Sequence, residues 1–325
     1  MLITDSMYRY AFLLFLIILF FSRLSDARDV GYPLQLSTQF AAGDRYMGIK
    51  LLGALTLRGR PELAELSDLA WDEDEEILYG VTDRGVLLHL QPVIAHDLLV
   101  GANLLRHFRL RDSGGKKLRK FNRDAEGLAL MNGSNGIRGD SLLAISFELS
   151  NRVDLYSPEG EYQRPVKMPL ALRNPRFYVN GNKGLEALAR HPVFGYMTGP
   201  EISAKGGAIP IFSQSGQSWY YQPLEPHGAL VALEALDDGT LIILERAFSS
   251  IFEPLVITLS SAHPREENAN SILATKLLAR FDSTQGWQTQ NLEGLTHHRG
   301  KRFFMVSDDG GASYLQTQLL YFEIP

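Results

Sequence analysis

The sequence contains no cysteine among its 325 residues. This absence excludes disulfide scaffolds, zinc fingers, thiolate metal sites and cysteine nucleophiles, so any chemistry must rest on carboxylates, hydroxyls, histidines and bound ions. An excess of basic charge is also missing, because 32 Lys and Arg residues stand against 37 Asp and Glu residues. The formal net charge of -5 gives no general attraction to nucleic acid or to anionic membranes.

Other common signatures are missing as well. No Gly-x-Ser-x-Gly motif is present, which argues against the serine site of an α/β-hydrolase. Ser113-Gly114-Gly115-Lys116-Lys117 lacks the spacing and the strand-to-helix setting of a phosphate-binding loop. Long amphipathic helical periodicity is absent, whereas 45% of the residues are hydrophobic. The composition therefore indicates a strand-rich globular chain with a core large enough to fold without disulfides.

One long apolar run is present near the N-terminus, at residues 11–21, and Arg23 closes it. The small residues that a signal peptidase requires follow at Ser25-Asp26-Ala27. A membrane-spanning helix needs roughly 20 apolar residues, and this run is shorter. We therefore predict that residues 1–27 are a signal peptide and that residues 28–325 form a single periplasmic or secreted domain without a stable membrane span. An uncleaved anchor is the alternative.

A short motif of apolar, acidic and small residues recurs after this segment. Its copies are Leu66-Ser67-Asp68-Leu69-Ala70, Ala125-Glu126-Gly127-Leu128-Ala129, Leu185-Glu186-Ala187-Leu188-Ala189, Leu233-Glu234-Ala235-Leu236 and Leu292-Glu293-Gly294-Leu295-Thr296. When Ser67 is aligned with the four glutamates, successive copies are 59, 60, 48 and 59 residues apart. That period is too long for a helical solenoid and suits a four-stranded blade.

Each copy is followed by a turn-rich segment and a second apolar run that ends on another acid. The clearest turn is Asp237-Asp238-Gly239, a strong hairpin signal. Repeated hairpins without crossover helices predict an all-β chain folded as a β-propeller, with five recognisable repeats and five or six blades. Residues 46–57 lie outside the repeats and are predicted to pair with residues 319–324, which would close the ring.

The repeated glutamates lie on the predicted innermost strands, so equivalent positions converge on the central axis. Glu126, Glu186, Glu234 and Glu293 would then repel one another, and their pKa values would rise unless a cation neutralised them. Oxygen ligands without thiolates or a histidine cluster suit calcium or magnesium, and irregular geometry favours calcium. The alternative is structural, with each acid binding exposed backbone groups in its own blade.

A second group of acids stands at the ends of the second strands. These are Asp83, Glu148, Glu201, Glu245 and Asp308. Arginines follow two of them, at Arg84 and Arg246, and a guanidinium group matches the oxygens of a phosphate or carboxylate. Blade-to-blade ion pairs are the alternative. Residues 106–123 are locally basic and either steer an anionic substrate towards the channel or form an exposed loop.

Several longer motifs together resemble those of the phytase-like family, whose domain is described as having the esterase-like activity of phytase. They are Asp124-Ala125-Glu126-Gly127-Leu128, Asn182-Lys183-Gly184-Leu185-Glu186, Leu244-Glu245-Arg246-Ala247-Phe248, Asn291-Leu292-Glu293-Gly294-Leu295 and Val306-Ser307-Asp308-Asp309. The resemblance covers roughly residues 45–325. It implies an exported β-propeller and a phosphoester or ester hydrolase, and likeness to propeller phytases implies calcium. Ala187 and Asp68 depart from the glycine that many copies of such a motif carry.

The resulting hypothesis is a calcium-dependent hydrolase acting on a small anionic or ester substrate, in a monomeric protein. The predicted metal ligands are Glu126, Glu186, Glu234, Glu293 and Asp308. Catalytic roles are predicted for Glu186, Glu245, Arg84 and Arg246, and substrate contacts for Arg84, Lys183 and Arg246. The alternatives are a lactonase and a non-catalytic propeller that calcium stabilises. The pair His297-His298 is predicted to lie in a solvated turn rather than in a metal site.

Overall fold

The computed structural model describes residues 28–173, 184–250, 252–312 and 314–325. The predicted signal peptide and Lys183 lie outside these residues. The part that is described is almost entirely β-structure. Its only helical segments are 3-10 turns, at Pro61–Leu63, Lys120–Asn122, Leu170–Arg173, Glu266–Asn268 and Ser283–Gln285. None of the helices in the described ranges is both long and apolar enough to cross a membrane.

The strands follow the chain in short antiparallel runs. The first eight are β1 (Arg28–Asp29), β2 (Gly31–Pro33), β3 (Arg45–Tyr46), β4 (Ile49–Leu57), β5 (Leu66–Asp72), β6 (Ile77–Thr82), β7 (Val86–Ala95) and β8 (Leu98–Arg109). The next eight are β9 (Ala125–Met131), β10 (Leu142–Phe147), β11 (Arg152–Tyr156), β12 (Tyr162–Pro165), β13 (Leu185–His191), β14 (Gly195–Pro200), β15 (Ile209–Ser213) and β16 (Ser218–Tyr221). The last seven are β17 (Gly228–Ala235), β18 (Leu241–Ala247), β19 (Val256–Ala262), β20 (Thr275–Asp282), β21 (Asn291–His297), β22 (Arg302–Asp308) and β23 (Thr317–Glu323).

These strands form five antiparallel sheets, so the chain is a five-bladed β-propeller. From the axis outwards, the first four blades run β5-β6-β7-β8, β9-β10-β11-β12, β13-β14-β15-β16 and β17-β18-β19-β20, with β1 added beside β8. The innermost strands β5, β9, β13, β17 and β21 contact one another in a closed circle. No sixth blade occurs among the described residues.

The fifth blade closes the ring with both ends of the domain. It runs β21-β22-β23-β4, and β2 and β3 pair with the outer edge of β4. β4 pairs with β23 from Thr317 opposite Leu57 to Glu323 opposite Lys50, which confirms the predicted closure. Residues from Arg28 onwards form all five sheets. Closure of the ring of blades protects the edges of the sheets.

The predicted hairpin at Asp237-Asp238-Gly239 is confirmed. Ala235 pairs with Leu241 across the turn, and Gly239 has φ +82°, a conformation that glycine adopts without strain. The Asp238 carboxylate accepts a hydrogen bond from the Thr240 amide at 2.8 Å. Local turn chemistry was therefore sufficient to predict this connection.

Every innermost strand begins at one end of the central channel and ends at the other. We call the first end the upper mouth and the second the lower mouth. The innermost strands pack so closely that side chains are restricted along the axis. A Cβ atom at Gly127 would lie 2.6 Å from the Glu186 carbonyl oxygen, and one at Gly294 would lie 2.8 Å from the Cα atom of Asp68. The motif glycines thus allow neighbouring blades to meet.

Candidate functional site

Acidic side chains surround the upper mouth. They come from the starts of the innermost strands, the ends of the second strands and the residues next to these strands. We call this set the acid cluster; its members are Asp83, Asp124, Glu126, Glu148, Glu186, Glu201, Glu293 and Asp308. Glu148, Glu201 and Asp308 are buried, and Asp124, Glu126 and Asp83 are half-buried. Glu126, Glu186 and Glu293 converge as predicted and lie at this mouth, whereas their metal and catalytic roles stay predictions.

Strand register places these side chains. In each blade the pairing of the first two strands shifts near the start of the innermost strand, and such irregularities change the direction in which a side chain points. The shifts occur around Ser67, Glu126, Glu186, Val231 and Glu293. Opposite them, just beyond or at the end of the second strand, lie Asp83, Glu148, Glu201, Arg246 and Asp308.

The fourth blade therefore differs from the others at both positions. It has Val231 where three blades have glutamate, and Arg246 where the other four have an acid. The Arg246 guanidinium forms ion pairs with Glu201 and Glu293 and donates a hydrogen bond to the Asn291 side-chain oxygen at 2.7 Å. A fixed cation thus neutralises one side of the acid cluster and crosslinks the third, fourth and fifth blades.

Glu234 does not belong to the acid cluster, so the prediction that it converges with the other three glutamates is wrong. The equivalent residue is Val231, and Glu234 lies three residues further along β17, towards the lower mouth. Burial and the nearby Asp68 carboxylate raise the pKa of Glu234 well above its usual range. The sequence contains two overlapping matches to the motif, Leu230-Val231-Ala232-Leu233 and Leu233-Glu234-Ala235-Leu236, and only the second contains an acid.

Glu245 also points away from the channel. It is fully buried, and it accepts hydrogen bonds from the Tyr221 hydroxyl and from the amides of Leu224 at 2.8 Å and Glu225 at 2.9 Å. The predicted catalytic position for this acid is therefore wrong, because alternate residues of a strand face opposite sides and Arg246 is the one that faces the axis. Glu245 instead stabilises the loop between β16 and β17, which connects the third and fourth blades.

Several carboxyl groups of the acid cluster, among them Asp83, Glu126 and Glu293, have raised pKa values. Burial, followed by repulsion from Glu186, raises the pKa of Glu126 well above its usual range. Burial and Asp308 raise the pKa of Asp83 to about 8. For Glu293 burial raises the pKa to about 7, although Arg246 opposes the shift. Clustered groups with strongly raised pKa values are typical of sites that bind a cation or move protons.

A compact group of oxygen donors lies in the first two blades, across the mouth from Arg246. Asp83, Asp124 and Glu126 can each offer one carboxylate oxygen such that these atoms lie within 4.8 Å of one another. All three donors are hard oxygens, the ligand type that calcium and magnesium prefer. Asp124 has no predicted role, although it stands beside Ala125-Glu126 in a motif that carries the family resemblance. The donor set fits a hard divalent cation.

Arg84 stands at the edge of the same mouth. Its guanidinium is held by the Glu65 carboxylate, with Nε 2.6 Å and Nη2 3.0 Å from the two oxygens. About a third of the Arg84 side chain is exposed, at 36%. The predicted substrate contact at Arg84 is thus compatible with its position, and its pairing with Glu65 fixes the orientation of the group.

Asp68 forms a hub between three blades. Its Oδ1 atom accepts hydrogen bonds from the amides of Leu69 at 2.8 Å and Leu295 at 3.0 Å, and Oδ2 accepts one from Leu128 at 2.7 Å. Leu128 and Leu295 belong to the innermost strands on either side. The departure from glycine at this position therefore has a structural explanation, since the buried carboxylate satisfies backbone donors of both flanking blades.

The lower mouth contains a cavity of about 440 Å³, lined in part by Trp71, Glu234, His298 and Arg299. His298 is buried, so the prediction that it lies in a solvated turn is wrong. Its Nδ1 atom lies 2.8 Å from the Tyr321 hydroxyl oxygen, and its ring contacts Trp71 edge-on with centroids 4.4 Å apart. Burial, followed by the charge of Arg299, lowers the pKa of His298 to about 4.

His298 is expected to make the protein sensitive to acid. An unfolded histidine binds a proton below about pH 6.5, whereas folded His298 resists protonation until about pH 4. The unfolded state therefore binds more protons in this interval, and the contribution of His298 to stability is lost as the pH falls. We expect the free-energy difference between wild type and His298→Phe to shrink by ~3 kcal/mol between pH 7 and pH 4. Urea unfolding of both proteins at pH 7 and pH 4 measures this free-energy difference. The same difference at both pH values would contradict a buried neutral ring at His298.

A family model matches most of the chain, and solved structures are similar to it at low sequence identity. A family model described as "Phytase-like: Esterase-like activity of phytase" matches residues 61–311. No curated protein matches the sequence. Among solved structures, selenomethionine-substituted virginiamycin B lyase from Staphylococcus aureus is 10% identical with a TM-score of 0.40, over 92% of this chain and 100% of that chain. The Cps50 (Swd1) β-propeller domain of Myceliophteria thermophila is likewise 10% identical, with a TM-score of 0.39 over 92% of this chain and 100% of that one.

Proposed function

The chain belongs to the phytase-like family, whose domain is described as having the esterase-like activity of phytase, and from this premise we propose that it is a calcium-dependent hydrolase of phosphoesters or esters. The site is the upper mouth of the channel. The proposed substrate is a small anionic or ester molecule that enters this mouth.

The observation that carries the proposal is the imbalance of charge in the acid cluster. Arg246 forms ion pairs with Glu201 and Glu293 on one side of the mouth, whereas Asp83, Asp124 and Glu126 bring three carboxyl groups together on the other side. Burial, followed by repulsion from neighbouring acids, raises the pKa values of Glu126 and Asp83. A divalent cation would remove this repulsion, because opposite charge within a few ångströms favours the ionised carboxylate. Asp83, Asp124 and Glu126 are the proposed ligands.

The roles of the surrounding residues follow from their positions. A bound calcium ion would supply positive charge that polarises a substrate oxygen and lowers the pKa of water. Glu186 is the proposed general base, since burial and its acidic neighbours raise its pKa well above the usual range and a carboxylate of raised pKa accepts protons near neutral pH. Arg84, fixed by Glu65, would bind an anionic group of the substrate. Arg246 holds Glu201 and Glu293 and acts as a positioning residue.

Export is part of the same proposal. It rests on the apolar run and small residues of segment 1–27, and calcium sites of extracellular modules work at about 10⁻⁴ to 10⁻³ M. The mature chain would therefore begin near Arg28, the first residue of β1. N-terminal sequencing of protein recovered from the periplasm or medium tests this. A chain that retains residues 1–27 would contradict cleavage.

Calcium binding provides the direct test. Calorimetry is expected to show binding at or below millimolar calcium, and calcium at 100 times Kd should stabilise the fold by ~2.7 kcal/mol. Glu126→Gln should weaken binding at least roughly tenfold, because a neutral amide replaces a charged ligand. The matched control is Glu267→Gln, an exposed glutamate away from the mouth. Equal affinity of the two variants, or no binding by wild type, would refute the metal site.

Activity is tested with a panel of phytate, p-nitrophenyl phosphate, p-nitrophenyl acetate and a lactone, each with calcium and with chelator. Turnover of a phosphate or acetate ester that chelator abolishes is the expected result. Turnover of the lactone alone would assign a lactonase instead. The second candidate is a non-catalytic propeller, which the position of Glu245 favours because one predicted catalytic acid faces away from the channel. Calcium binding with no turnover of any substrate would support it.

A further inference from the structure

Exposed apolar side chains lie at the end of the propeller that carries the upper mouth. They lie on loops that connect strands at that end of the propeller, and each residue is more than half exposed. We call them the apolar rim; its members are Phe121, Leu170, Phe248, Phe252 and Tyr314. Among the described residues, all the phenylalanines and tyrosines exposed to this extent belong to the rim, whereas the comparably exposed residues at the lower mouth, such as Ile137 and Ile272, are aliphatic.

Rim residues come from different sides of the mouth. Phe121 lies between the first and second blades, and Leu170 between the second and third. Phe248 and Phe252 lie in the β18–β19 loop of the fourth blade, and Tyr314 lies in the β22–β23 loop of the fifth. A groove or a single strand would touch only part of this set. A flat partner can contact the whole rim at once.

A cluster of positive charge adjoins the rim. Residues 116–123 contain Lys116, Lys117, Arg119, Lys120 and Arg123, all of them exposed, and no acid. None of these five cations lies within 4 Å of a described carboxylate oxygen. Phe121 stands among them, so this basic segment presents exposed cations and an aromatic ring on one surface.

The basic segment is next to the candidate site. Arg123 packs over Gly85, where a Cβ atom would lie 3.1 Å from the Arg123 Cβ, and Gly85 follows Asp83 and Arg84. The acids of the cluster are buried or half-buried below the rim, whereas Glu253 is the exposed acid beside Phe252. Negative charge is therefore recessed and positive charge projects, although the protein as a whole carries a net charge of -5.

We propose that the upper face docks on an anionic phospholipid bilayer, with the channel mouth turned towards the lipid. Each lysine or arginine near an anionic membrane surface contributes about 1 kcal/mol, and aromatic rings are favoured at the boundary between headgroups and acyl chains. Neither contribution alone gives stable attachment, but together they provide two signals. This inference does not rest on the proposed hydrolase activity.

Vesicle cosedimentation tests the docking surface. The chain from Arg28 to Pro325 is used, since its five sheets are complete without the apolar run. It is expected to sediment with vesicles of phosphatidylcholine and phosphatidylglycerol at 7:3, and not with phosphatidylcholine alone, in chelator to prevent bridging by calcium. Binding should weaken as salt rises, because the Debye length falls from about 10 Å at 0.1 M to 3 Å at 1 M.

Variants of matched chemistry locate the surface. Lys116→Glu/Lys120→Glu should lower the partition coefficient roughly tenfold or more. Lys276→Glu/Lys301→Glu, which reverses two exposed lysines at the opposite end of the propeller, should leave it unchanged. Phe121→Ser/Phe252→Ser should weaken binding more than Ile137→Ser/Ile272→Ser. Far-ultraviolet circular dichroism confirms that each variant folds.

Three results would overturn the proposal. These are equal binding to neutral and anionic vesicles, equal losses for upper-mouth and lower-mouth variants, and binding of a single-stranded 20-mer DNA that competes with and exceeds vesicle binding. A protein that binds vesicles but turns over no ester would leave the docking surface intact and refute only the hydrolase.

Discussion

Arg246→Met is expected to lower the free energy of unfolding by about 3–5 kcal/mol at pH 8 and to abolish any turnover at the upper mouth. Methionine fills a similar volume, so the loss reports the missing charge rather than a cavity. Without the guanidinium, Glu201 and Glu293 lose their ion pairs and Asn291 loses a hydrogen bond at 2.7 Å. Removing one partner of a buried ion pair leaves the other charge uncompensated.

The effect of Arg246→Met should depend on pH. Arg246 already opposes the rise of the Glu293 pKa, which is about 7. Without the arginine, that pKa rises further, and at pH 5 the carboxyl groups take up protons instead of remaining charged. The loss of stability should therefore be smaller at pH 5 than at pH 8, as measured by urea unfolding in chelator.

Arg246→Lys is the control for Arg246→Met. A lysine keeps the charge but cannot reach Glu201, Asn291 and Glu293 with a planar fork, so we expect an intermediate loss. If Arg246→Met were as stable as wild type at pH 8, the arginine would not compensate the acid cluster, and its proposed positioning role would fail.

Asp68→Ala is expected to destabilise the fold by about 3–5 kcal/mol, because each buried donor left without a partner costs about 1–3 kcal/mol. The residue is 1% exposed and accepts three backbone hydrogen bonds from the first, second and fifth blades. Alanine itself fits this position, since Ala187 and Ala232 occupy the equivalent places in the third and fourth blades. The loss should therefore arise from the hydrogen bonds and not from packing.

Asp68→Asn distinguishes the contributions of the two carboxylate oxygens of Asp68. Its amide oxygen can keep the donors Leu69 and Leu295, whereas the amide nitrogen would face the Leu128 N–H and cannot accept from it. We expect a loss roughly half that of Asp68→Ala, by chemical unfolding at neutral pH. If alanine cost less than about 1 kcal/mol, water would be replacing the carboxylate and the hub would contribute little.

Most of the fold could be predicted from the sequence, because its signals are local or periodic. Turn residues such as Asp237-Asp238-Gly239 specify hairpins, and the spacing of the motif indicates four-stranded blades. Closure of the ring by residues 46–57 followed from an apolar segment left outside the repeats. The sequence predicts five or six blades. The pairing of β4 with β23 in the fifth sheet decides for five.

The candidate site was only partly predictable. Glu126, Glu186 and Glu293 could be found because they occupy the same place in similar motifs. Glu234 could not be placed, because the fourth blade has Val231 at the position of the glutamates. Glu245 could not be placed, because a shift of one residue turns a side chain to the other face of the strand. Asp124 carried no repeat signal, and its closeness to Asp83 arises only when separate strands meet.

The sequence by itself determined a cysteine-free, strand-rich chain with repeated acids, and thereby limited any bound metal to hard cations held by oxygen. Only the tertiary structure decided which acids share the upper mouth and that Arg246 occupies the fifth position there. It also assigned Asp68 to the hub and Glu234 to the opposite end of the channel. The physical reason is that electrostatic interactions depend on distances of a few ångströms between blades, and residues about 60 positions apart meet there only through strand register and closure of the ring.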